Sequence, residues 1–207
     1  MIDLVILVAD THTEAAVSTL LQKRCQSLQI RSLKFEVVRG GGDANVYQQA
    51  QDLLRGYTKK ASYALVLLDR EGSGQEARKT AEQIESELEE RLKRNGWSDE
   101  RGSRCAVIVL DPELEVWVWS RSPHVPEVLE LNAETLKQIL DNFERNPNGK
   151  PRRPKEALQA ALRRARRPLS AAIFRELAER VSLQAEEQAF HKFRSTLQSW
   201  FPMETNV

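Results

Sequence analysis

Three uninterrupted apolar runs constrain this chain more than any other feature: LVILVA at residues 4–9, YALVLL at 63–68 and CAVIVL at 105–110. Continuous runs of this kind are what central parallel strands look like when helices cover both faces of their sheet. A shorter, more polar run at 34–38 supplies a fourth strand, while residues 116–119 extend the last run or form a separate short element. Helical patterns lie between the runs, at 13–27, 44–58 and 75–95. The third has a stripe of Ala77, Ala81, Ile84, Leu88 and Leu92 for its buried face and Gly96 placed to stop it. Alternation of strand and helix predicts an α/β fold with a four-stranded, mostly parallel sheet flanked by helices.

Beyond about residue 120 the texture changes to helices without strands, at 133–144, 155–166, 170–181 and 186–200, interrupted by the turn-rich stretch RNPNGKPRRP at 145–154. The expected organisation is an α/β domain over residues 1–122 and an all-α C-terminal region over 123–207. Charge divides along the same line. Residues 145–180 hold eleven basic against three acidic residues, a local charge of +8 that leaves −7 elsewhere in a chain of net charge +1. Hydrophobic residues at 41% and charged residues at 29% exclude wholesale disorder. Cys25 and Cys105 are far apart and fit neither a zinc motif nor a disulfide framework, which points to a reduced interior. Met1-Ile2-Asp3 enters the first apolar run without a basic leader, and Asp10, Asp69 and Asp111 break the apolar runs well short of a membrane span. A cytoplasmic chain with no membrane partner is expected.

Ligands of parallel α/β sheets gather outside the carboxyl ends of the strands, and here those ends are acidic three times. They read Asp10-Thr11-His12-Thr13-Glu14, Asp69-Arg70-Glu71-Gly72-Ser73-Gly74 and Asp111-Pro112-Glu113-Leu114-Glu115. Carboxylates converging on one edge repel one another unless a cation joins them, and an all-oxygen set suits Mg²⁺ or Mn²⁺. Asp10 also has the chemistry to cap the following helix. Of Glu113 and Glu115, Glu115 is expected to be the one that faces the site. Gly40-Gly41-Gly42 reads as a tight turn, because it lacks the residues of a P-loop or a dinucleotide fingerprint.

The arrangement resembles the Toprim fold of topoisomerases, primases and overcoming-lysogenization-defect nucleases, with an acidic residue after strand one and a D-x-D-type motif after a later strand. More closely it resembles small Toprim-like proteins encoded near prokaryotic anti-phage genes, including methylation-associated defence systems. Asp10-Thr11-His12-Thr13-Glu14 stands for their E-G-x-T-E segment, Asp69-Arg70-Glu71 for D-x-D and Glu115-Val116-Trp117-Val118 for E-x-W-L. The resemblance implies that Asp10 and Glu14 are catalytic and that Asp69, Glu71 and Glu115 bind metal. Asp10 is one methylene shorter than the family's glutamate, and Glu71 one longer than its second aspartate.

Arg152, Arg153, Arg163, Arg164, Arg166 and Arg167 form the basic segment. Such a cluster neutralises phosphates, or docks an acidic protein surface, or is simply solvated. Phe190, Phe193, Leu197 and Phe201 recur at helical spacing as a packing stripe rather than a base-stacking platform. The expectation from the whole sequence is a Mg²⁺-dependent nuclease acting on foreign DNA alongside other defence proteins. The alternative is a non-catalytic, Toprim-shaped assembly subunit.

Overall fold

A computed structural model describes residues 1–120, 122–181 and 187–203. The strands are β1 (Ile2–Val8), β2 (Phe35–Arg39), β3 (Ala61–Asp69), the short hairpin β4 (Ser98–Asp99) and β5 (Gly102–Ser103), and β6 (Cys105–Leu110). The helices are α1 (Thr11–Lys23), α2 (Cys25–Leu28), α3 (Asp43–Leu53), α4 (Ala81–Arg94), α5 (His124–Val128), α6 (Ala133–Leu140), α7 (Pro154–Ala165), α8 (Ala171–Arg180) and α9 (Gln188–Trp200). The main sheet has four strands in the order β2-β1-β3-β6, all parallel. The chain thus builds outward from β1 to β2, then returns to place β3 on the other side of β1. That reversal opens a crevice at the carboxyl ends of β1 and β3, the usual ligand position in such sheets.

The three apolar runs partition between the two faces with the period of two that a strand imposes. Leu4, Ile6, Val8, Leu65, Leu67, Ala106 and Ile108 point to one face, where Ala16 and Leu20 of α1 join Leu158 of α7, Phe174 of α8 and Phe193 of α9 in a single buried cluster. Val5, Leu7, Ala64, Val66, Val107 and Val109 point to the other, against Val46 and Ala50 of α3 and Ile84, Leu88 and Leu92 of α4.

Two sequence expectations for single elements need correction. The third helix begins at Ala81, not residue 75, because Thr80 and Gln83 form a reciprocal capping box that fixes its start; Ala77 lies in the exposed turn before it. Residues 116–119 are not a strand, since Leu114–Trp117 forms a 3₁₀ turn. Tight packing explains Gly40, where a Cβ would overlap Val46 Cγ2. The expected start of the last helix at residue 186 lies outside the described residues.

The β6 edge of the sheet is closed by side chains. Val107 N donates to Glu89 Oε1 at 3.0 Å and Val109 N to Glu85 Oε1 at 2.9 Å. Lys192 Nζ of α9 holds both carboxylates at 2.9 Å. Among the described residues no helix is long and apolar enough to cross a membrane.

Candidate metal centre

Three acidic side chains meet at the carboxyl edge of the sheet: Asp69, Glu113 and Glu115 each offer an oxygen, all within 4.8 Å of one another. Asp69 comes from the end of β3, and the other two from the turn after β6. Glu113 is still extended, with φ −161° and ψ 168°, and the chain then coils into the 3₁₀ turn. Both glutamates reach the cluster, which corrects the expectation that Glu115 alone faces the site. The turn is pinned at two points, by Leu114 N donating to Asp69 Oδ1 at 2.9 Å and by Lys150 Nζ donating to the Val116 carbonyl at 3.1 Å.

Two further carboxylates surround the trio. Asp43, the first residue of α3, accepts the Asp69 N–H at 2.7 Å. Its Oδ2 would lie 3.4 Å from a Cβ at Gly72, whose φ of +91° itself disfavours a side chain. Asp10 caps α1 with Oδ1, which accepts from His12 N at 3.0 Å and from Thr13 N and Oγ1 at 2.8 and 3.0 Å. The structural reading of Asp10 is therefore correct, and it leaves Oδ2 uncommitted by hydrogen bonds.

Burial and mutual repulsion show in the acidities. Burial, followed by the charges of Asp43, Glu115, Glu113 and Asp10, raises Asp69 well above the usual carboxylate range. Burial and then the Glu113 charge push Glu115 to about 7. Asp43 is raised chiefly by burial, against the hydrogen bond from Asp69. Among the described residues, Lys155 is the cation paired with this group. Lys155 N and Nζ reach Glu113 at 3.2 and 3.3 Å, and the nearby Glu115 and Glu113 charges overcome its desolvation and raise its pKa. The N-terminus of α7 adds its own partial positive charge at the same place. An oxygen-only donor set of this kind can hold a metal ion.

The remaining expected site residues are spread more widely. Glu14 pairs with Arg39 at 3.4 Å. Glu71 is exposed and lies outside the trio; its N–H donates to the Pro112 carbonyl at 3.0 Å, while Arg70 folds back onto the Lys79 and Glu76 carbonyls. Arg152 and Arg153 are exposed beside the start of α7, and Arg153 faces Glu156 at 3.9 Å. Arg163, Arg164 and Arg166 are exposed at the other end of that helix, roughly 13 Å along its axis from Lys155. Arg167 is turned inward, bonded to the Val128 carbonyl and paired with Glu130 and Glu176 at 3.3 and 3.4 Å.

Asp43 and the role of Lys155 escaped the sequence reading. Asp43 follows a strand, as the other acids do, but β2 is too polar to advertise its end. Lys155 was visible only as one charge in a basic segment.

A family model described as a domain of unknown function, DUF4276, matches residues 11–199. No curated protein and no solved structure matches the chain.

Proposed function

Because the chain belongs to the DUF4276 family, whose description assigns no activity, its chemistry rests on its own residues, and we propose that it is a Toprim-like, Mg²⁺-dependent nuclease of a prokaryotic antiviral defence system. The convergence of Asp69, Glu113 and Glu115 at the carboxyl edge of an all-parallel sheet carries this reading. When bound, Mg²⁺ or Mn²⁺ supplies Lewis acidity to a phosphodiester oxygen and acidifies a water molecule. Asp69, Glu113 and Glu115 would hold it. Asp43 fixes the backbone of Asp69, and Asp10 offers Oδ2 for proton transfer. Arg152, Arg153, Arg163, Arg164 and Arg166 are exposed at the surface and would follow the backbone of foreign DNA.

The test is cleavage of plasmid and single-stranded DNA with Mg²⁺ or Mn²⁺ by wild type, Asp69→Asn and Glu115→Gln. Each substitution keeps the shape and removes a charge, and each is expected to lower the rate of order a hundredfold. Undiminished cleavage by both variants would overturn the assignment. One observation favours a second reading, a non-catalytic Toprim-shaped assembly subunit of a defence complex: Glu71 stands outside the trio, so the D-x-E pair does not chelate from one turn. Copurification with a partner protein, with no cleavage by wild type in its presence, is the outcome that reading expects.

A further inference from the structure

Asp69, Glu113 and Glu115 bring oxygens within 4.8 Å of one another, so whatever charge they carry favours a cation beside them. Among the described residues the ion pair to this trio is made by Lys155, at 3.3 Å from Glu113 Oε2. Its main chain is rigidly mounted. Trp119 Nε1 donates to the Pro154 carbonyl at 2.9 Å in the interior, and Ala157, Leu158 and Ala161 bury the helix beneath it. The side chain is different: 46% exposed, it reaches the cluster from the rim and touches one of its three members.

We propose that Lys155 is the resident counter-ion of the acidic cluster, displaced into solvent when a divalent cation binds and thereby freed to meet the anionic group that the cation recruits. This rests on the metal-centre reading above. A monovalent ammonium at the rim satisfies one carboxylate, whereas a divalent ion among the three can contact all of them at about 2.1 Å. Repulsion between the two cations then drives the lysine arm outward, in the direction it is already solvated. Glu113 keeps its orientation through this exchange, because the Lys155 backbone N–H still donates to its Oε1 at 3.2 Å. Cation and anion binding become mutually supportive, since the first event releases a partner for the second.

The sign of one affinity change separates this role from a prop that merely steadies Glu113. Mn²⁺ alone is titrated calorimetrically into the full chain at pH 7.5, for wild type, Lys155→Gln and Lys155→Arg. Lys155→Gln is expected to bind Mn²⁺ about fivefold to tenfold tighter, and Lys155→Arg within about twofold of wild type. Equal or weaker binding by Lys155→Gln overturns the proposal. A second measurement needs no variant: acetylation of Lys155 in wild type, read by mass spectrometry, should rise several-fold on saturation with Mn²⁺, and unchanged labelling also overturns it. Absence of Mn²⁺ binding to wild type removes the metal-centre reading itself and the counter-ion with it. Binding to wild type without the tightening removes the counter-ion alone.

Discussion

At the scale of single residues, Glu115 couples acidity to stability. Its carboxyl group titrates near 4.5 when unfolded and about 7 when folded, because it is buried and faces Glu113. Between those values the folded chain holds a proton that the unfolded chain does not, so stability is fully present below the lower value and is lost as pH rises through the upper. The gap corresponds to about 3 kcal/mol, and Asp69, also raised, acts in the same direction. Without divalent ions, Glu115→Gln should therefore be more stable than wild type by about 2–3 kcal/mol at pH 8 and nearly equal to it at pH 4. Urea denaturation at the two pH values checks this; parallel pH profiles would contradict it. Asp69 and Glu115 were legible because each sits close behind a long apolar run. Glu113 was misjudged although side chains two apart on a strand share a face, so its spacing from Glu115 never argued against a shared site, and no local pattern announced that the chain would coil at Leu114.

Among elements, α4 shows how a helix can serve two neighbours. Its apolar stripe of Ile84, Leu88 and Leu92 covers one face of the sheet, while Glu85 and Glu89 lean over the side of β6. Glu85→Ala removes the acceptor of the Val109 N–H and one carboxylate partner of Lys192. A loss of about 2–3 kcal/mol is expected, measured as a lower denaturation midpoint with an unchanged slope. An unaltered midpoint would show that water replaces the glutamate at no cost. The stripe was readable from spacing of three and four. The late start of α4 was also written in the sequence, as Thr80 and Gln83, but the preceding alanine extended the periodicity and masked the capping signal.

Across the whole molecule, one buried cluster runs from β1 to α9. Phe193 is fully buried within it and lies beside Trp117 and Phe190, with ring centroids 5.6 and 6.0 Å away. Phe193→Ala should cost about 3–5 kcal/mol and lower the unfolding of sheet and helices as one transition, followed by circular dichroism and tryptophan fluorescence together. Separate transitions would show that α9 melts on its own. The parallel sheet was predictable because apolar runs pair in few ways; the covering of its faces was not, because helical stripes do not name the surface they will meet. The closed side of β6 has a last consequence for how copies of this chain can meet. With the Val107 and Val109 N–H groups already bonded, pairing between molecules through the main sheet is left, among the described residues, with β2 at its opposite side. Two chains joined there by a twofold axis would present sealed borders at both ends, so such growth terminates at a pair and cannot run on into a fibre.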